Sequence, residues 1–234
     1  MVELPSQPLA DIDPEFRAIA LETGEWTYGL SGANTREKLL LNLANDVCRE
    51  HFGLAFRLHV QAALHHGVPF SDVLGVVRFM GPYAGYPAAA DALERLDAIG
   101  VQLGIDARAE AAKARGEGTS SVPKRRPTGG EDSGEGSGQD FGTADGWLSG
   151  FIASRTGRSW SVQGLSDRER AYLALAADVA QQTLGGSFRL HVRLAREGGA
   201  SPAEIRDVLR FPAECSIAKS AAALRELNAV LDAG

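Results

Sequence analysis

Two histidines sit in the same five-residue frame. Phe56-Arg57-Leu58-His59-Val60 returns as Phe188-Arg189-Leu190-His191-Val192, 132 positions later. Imidazole is the side chain best suited to proton transfer near neutral pH. His59 has Ala55 four residues before it and Ala63 four after; His191 has Ser187 and Ala195. Residues four apart share a helix face, so small neighbours leave room around each ring. A partly buried histidine bonded to a single carbonyl fits the same spacing, and duplication alone copies a structural residue.

Two carboxylates recur with them. Glu37 and Glu169 stand three residues after Asn34 and Ser166, the spacing of a helix capping box. Each also shares a stripe with apolar residues, Leu40, Leu41 and Ala44 for Glu37. A carboxyl facing an apolar interior has a raised pKa and can work as acid or base. Cap and acid are compatible roles. Cys48 lies on the same stripe with Ala180 in its place 132 residues on, so an inert buried thiol is expected. His51, His65 and His66 have no counterparts, and no metal-ligand spacing is present. No metal and no cofactor are expected.

The elements that position these residues are helices. Further matches at the offset of 132 include Arg36-Glu37 with Arg168-Glu169, Asp46-Val47 with Asp178-Val179, and Arg78-Phe79 with Arg210-Phe211. The chain therefore reads as an all-α protein of two tandem helical repeats. Their boundaries are 14–103 and 142–234, with a flexible linker over 104–141. In the first repeat a helix runs from Pro14 to Thr23-Gly24, followed by Trp26, which pairs with Trp160 at an offset of 134. A second helix starts after the Asn34 cap. A third carries His59 and ends at Gly67, and a fourth follows Pro69. The segment Gly81 to Pro87 reads as a turn or broken helix, and a last helix spans Ala88 to about Val101. Residues 114–141 are rich in Gly, Ser and charge, and a coil of that length reaches roughly 30 Å, enough for the repeats to dock about a pseudo-two-fold axis.

Composition removes other classes. Hydrophobic residues make up 44%, enough for a core, and the net charge of −6 argues against general nucleic-acid binding. No apolar stretch approaches the ~20 residues of a membrane span. The start of the chain lacks a basic, apolar leader, and the two cysteines form no CxxC pair. A cytoplasmic protein without membrane or nucleic-acid partners is expected.

Residues 37–89 resemble the carboxymuconolactone decarboxylase family, which includes the AhpD-like proteins. The resemblance rests on Trp26 before a Gly/Ser turn, on Thr35-Arg36-Glu37, and on Leu58-His59-Val60-Gln61-Ala62-Ala63-Leu64 leading to Gly67-Val68. Its most specific part is Tyr83-Ala84-Gly85-Tyr86-Pro87-Ala88-Ala89. The second repeat matches through Gly164-Leu165-Ser166, Arg168-Glu169 and Leu190-His191-Val192, then departs, reading Pro212-Ala213-Glu214-Cys215-Ser216. The thiols of the AhpD-like branch are replaced by Phe52 and Ala55, and by Leu184 and Ser187, so disulfide chemistry is not implied.

The resemblance implies a cofactor-free, decarboxylase-like lyase acting on a small carboxylated lactone or related carbonyl compound. His59 would be the general acid, Glu37 would orient it or exchange its proton, and Tyr83 would donate to the oxyanion. Trp26, Tyr86, His191 and Glu169 would contact substrate. The complete motif puts the working site in the first repeat and makes the second its structural partner. Single-repeat relatives form ring-like oligomers, so a homo-oligomer of three chains is expected. Two other readings stand: a biosynthetic tailoring enzyme with different proton-transfer chemistry, and a non-catalytic ligand-binding or assembly module.

Overall fold

The computed structural model describes residues 12–113 and 145–232. Every regular element among them is helical: α1 (Pro14–Tyr28), α2 (Thr35–Arg49), α3 (Leu54–His65), α4 (Phe70–Ala84), α5 (Tyr86–Leu103) and α6 (Ala107–Lys113), then α7 (Gly146–Trp160), α8 (Asp167–Gln181), α9 (Gly186–Glu197), α10 (Pro202–Arg210), a 3₁₀ turn (Phe211–Glu214) and α11 (Ile217–Asp232). Local chemistry sets their starts. Asp13 and Asp145 accept from backbone N–H groups at the heads of α1 and α7. Asn34–Glu37, Ser166–Glu169 and Ser201–Glu204 form complete capping boxes.

α2 and α8 pack against each other at the centre, with α3, α4 and α5 around α2 and with α9, α10 and α11 around α8. Residues 37–47 of α2 are buried without a break, on every face of the helix. The apolar stripe read from the sequence is therefore only part of what α2 buries. Asn42, Asn45 and Asp46 are buried with it, at 2%, 2% and 5% exposure, and buried polar groups must find partners.

The seam between the halves is tied by reciprocal charge pairs. Arg36 on α2 reaches Glu169 on α8 at 2.6 Å and Asp72 on α4 at 2.9 Å. Arg168 on α8 reaches Glu37 on α2 at 2.9 Å and Glu204 on α10 at 2.9 Å. The first helix of each half crosses over: α1 packs on the 3₁₀ turn, and α7 packs on α4.

Several expectations change. α1 continues past Gly24 to Tyr28, and it is Tyr28 that stands 132 residues before Trp160, each closing its helix. Trp26 is not the counterpart of Trp160, and the following loops have one length. α4 runs through Pro82 to Ala84, and the only break before α5 is Gly85, at φ 101°. Proline is tolerated there because it removes just one helical bond, near the helix end, whereas φ 101° requires glycine. The expected linker also starts too early at 104. Ala107–Lys113 form α6, packed on α4 and α5, with Arg78 donating to the Ala111 carbonyl at 3.0 Å. The rest of that segment lies outside the described residues.

Candidate functional site

Each histidine is held by an aspartate thirteen residues before it, one helix away. On α3, His59 Nδ1 lies 2.6 Å from Asp46 Oδ2 on α2. On α9, His191 Nδ1 lies 2.6 Å from Asp178 Oδ2 on α8. A carboxylate at Nδ1 fixes the neutral ring as the Nδ1–H tautomer, which leaves Nε2 with its lone pair. Burial resists a charge on His59, but the hydrogen bond and the charge of Asp46 more than offset it, so its pKa is raised. Burial likewise raises Asp46, against the pull of His59.

The two pairs live in different surroundings. His191 is fully buried, its ring edge-on to Tyr83 at 5.6 Å and stacked on Trp160 at 6.3 Å. Trp160 Nε1 donates to the Tyr83 hydroxyl at 2.7 Å, and Phe79 packs on both. Asp178 also accepts from the Thr183 hydroxyl at 2.7 Å and the Ser187 hydroxyl at 3.3 Å. Aromatic rings fill the space that small flanking residues leave around this histidine.

The His59 side chain keeps 22% of its surface exposed. Among the described residues its Nε2 has no hydrogen-bond partner. Tyr28 and Phe211 meet edge-on at 5.5 Å, where Trp160 and Phe79 meet in the other half. Asn42 Nδ2 donates to the Tyr28 hydroxyl at 2.7 Å. The place that Tyr83 takes beside His191 falls here to Cys215, and Glu214 precedes it on the 3₁₀ turn. Glu214 and Cys215 line a cleft of about 940 Å³ between α1 and the head of α11, with Thr27, Trp26 and Ile217. The Thr27 hydroxyl donates to Glu214 Oε2 at 3.2 Å. Desolvation raises the pKa of Glu214, against the opposing charge of His59. Burial raises Cys215 to about 11 and Cys48 to about 12, so both are neutral thiols at physiological pH.

The expected site residues are thus distributed. Glu37 bonds back to its own helix start and pairs with Arg168, while Asp46 is the carboxylate at His59. Glu169 is the mirror case, capping α8 and pairing with Arg36. Tyr83 belongs with His191, contributed from the other half of the chain. Trp26 is 77% exposed on the cleft rim, and Tyr86 is 52% exposed with its ring over Gly81. Asp46, Glu214 and Tyr28 were not singled out from sequence. For Asp46 a signal existed: it and Asp178 interrupt buried runs, Leu43-Ala44-Asn45-Asp46-Val47 and Ala176-Ala177-Asp178-Val179, at the offset of the histidines.

Among curated proteins, none matches the chain. The model of the carboxymuconolactone decarboxylase family matches residues 146–229, from the start of α7 well into α11. Over the segment that holds the His191–Asp178 pair, the chain is therefore similar to the carboxymuconolactone decarboxylase family.

Proposed function

We propose that this protein is a cofactor-free, carboxymuconolactone-decarboxylase-like enzyme acting on a small carboxylated lactone or related carbonyl compound. The observation that carries the reading is the His59–Asp46 pair, 2.6 Å long and partly exposed, with its charge felt by a second carboxyl, Glu214, which lines a cleft. In the reaction the bond to the carboxylate breaks and CO2 leaves. The electron pair moves into the lactone carbonyl, giving an enolate. Imidazolium at His59 then delivers a proton to carbon, with Asp46 holding the ring and balancing its charge; solvent returns the proton. Positioned acid–base catalysis of this kind is worth about 10²–10⁴-fold. Glu37 and Tyr83 act in this reading as parts of the frame.

The chain is read as a fused pair of one unit. Its support is that α1–α3 and α7–α9 have bounds 132 residues apart and that Arg36–Glu169 and Arg168–Glu37 exchange across the seam as a two-fold axis requires. The first half supplies the working histidine, while the second supplies Glu214 and Cys215 to its cleft. Phe16 and Ile19 on α1 and Leu148 and Phe151 on α7 stay exposed, which supports a homo-oligomer of three chains covering them. Among the described residues no helix is long and apolar enough to cross a membrane. A cytoplasmic location fits the sequence.

The test is turnover of unsaturated five-membered lactone acids, followed by CO2 release. His59→Asn should lower kcat by about 100-fold or more, and His191→Asn should leave kcat per folded molecule within a few-fold. Full activity in a folded His59→Asn protein would refute the reading. Light scattering of the purified chain tests the trimer, and a monomer at working concentration would exclude it.

A further inference from the structure

Beyond the acid–base pair, α2 presents a polar stripe that the reaction as described does not use. Asn42, Asn45, Asp46 and Arg49 recur at three- and four-residue spacing and so share one face. Two of them are satisfied: Asn42 by the Tyr28 hydroxyl and Asp46 by His59. The other two are not. Asn45 is 2% exposed, and among the described residues neither its Oδ1 nor its Nδ2 has a partner. The Nε and Nη2 of Arg49 are likewise buried and unpaired.

Both partnered members of the stripe sit at the His59 site, and Arg49 and Asn45 lie on the same helix face. The charge of Arg49 is also felt at Asp46 and at Cys215 in the cleft. Nε–H and Nη2–H form one edge of the guanidinium, two parallel donors that match the two oxygens of a carboxylate. Buried donors left without partners are unfavourable, more so when charged. In α8 the corresponding residues are Ala174, Ala177 and Gln181, and Gln181 Nε2 already reaches the Cys48 carbonyl at 3.5 Å. The unpaired Asn45 and Arg49 donors therefore have no counterparts at the matching positions of α8. A single guanidinium near Asp46 and Glu214 suits a singly charged anion better than a doubly charged phosphate.

We propose that Arg49 and Asn45 form a carboxylate-binding site in the wall of the His59 site, holding the acid group of a small organic acid. The placement of substrate rests on the function proposed above, but the binding site itself does not need turnover. The Arg49 fork takes the two oxygens, and the Asn45 amide N–H donates to one of them.

The test uses three probes on the full chain: 2-furoate, 2-furamide and inorganic phosphate. Titration calorimetry should show saturable binding of 2-furoate, with 2-furamide at least ~10-fold weaker, since a charge-assisted pair of ~1.5–3 kcal/mol corresponds to about 10- to 100-fold. Arg49→Met should lose a similar factor, and Arg49→Lys should recover only part of it. In the wild-type protein, ¹H–¹⁵N spectra should show the Arg49 Nε–H and Asn45 amide signals shifting with 2-furoate, a readout that needs no variant. Equal binding of 2-furamide, tighter binding of phosphate, no saturable binding of 2-furoate, or unmoved Arg49 and Asn45 signals would each overturn the proposal. If His59→Asn keeps both turnover and 2-furoate binding, the catalytic reading fails while the carboxylate site stands.

Discussion

Removing each aspartate in turn separates the roles of the two histidine pairs. Asp178 receives three side-chain hydrogen bonds, from the buried His191 and Ser187 and from the exposed Thr183. Asp178→Ala removes the carboxylate partner of a buried imidazole, while the Ser187 hydroxyl keeps the Thr183 carbonyl at 3.1 Å and the Thr183 hydroxyl can turn to water. Hydrogen bonds to a charged group contribute about 1.5–3 kcal/mol and neutral ones about 1, while breaking a buried pair costs about 3–5 kcal/mol. A loss of ~3–5 kcal/mol is therefore expected. Asp46 receives one side-chain bond, from a histidine that water still reaches, so Asp46→Ala should cost only ~1.5–3 kcal/mol. The gap of about 2 kcal/mol corresponds to roughly 4–8 °C in melting temperature for a chain of this size. Urea unfolding at pH 7, with the slope checked for constancy, measures both. Turnover should run the other way, with Asp46→Ala losing most activity and folded Asp178→Ala retaining most of it. If Asp46→Ala proved the more destabilising change, or Asp178→Ala the more damaging to turnover, the division between a working pair and a structural pair would be wrong.

The raised pKa of His59 means that the native state favours its protonated form. Its contribution to stability should be complete below the ordinary imidazole value of 6.5 and fade as pH climbs through the raised one; unfolding of wild type and His59→Asn between pH 5 and pH 9 checks this, and a difference that grows with pH would contradict it. At the seam, a Cβ on Gly32 would lie 2.7 Å from the Glu204 carbonyl oxygen and 2.8 Å from its Cα, whereas one on Gly24 would meet nothing within 4 Å. Gly32→Ala should cost ~1–3 kcal/mol and Gly24→Ala, inside α1, should be neutral or stabilising by up to ~1 kcal/mol, both read by thermal melts. Cys215 is exposed, yet its thiol is held at about 11; alkylation by iodoacetamide at pH 7.5 should run about 100-fold slower than for a free thiol, and a fast reaction would show that its surroundings favour the thiolate.

The sequence by itself determined what local chemistry controls. Capping boxes at Asn34, Ser166 and Ser201 mark the heads of α2, α8 and α10, because a side chain three residues from its partner needs no tertiary contact to find it. The histidines, their small flanks and the offset of 132 were likewise legible. What pairs with what was not. The family resemblance implied Glu37 as the partner of His59, but packing against α8 hands it to Arg168, and the crossing of α2 over α3 brings Asp46 to the ring instead. Tyr83 belongs by motif to the first half and by contact to the second half's histidine, since α4 packs on α7 and α8. Only the tertiary structure decided that two identical five-residue frames lie in unlike places. Trp160 and Tyr83 fill one and bury His191 completely, whereas Tyr28, Glu214 and Cys215 stand at the matching side of the other, where His59 keeps 22% of its side chain exposed. The physical reason is that periodicity fixes which face of a helix is buried, while the neighbours that meet that face come from other helices, and the ones that distinguish the two sites, Tyr83 for His191 and Glu214 and Cys215 for His59, lie more than a hundred residues away.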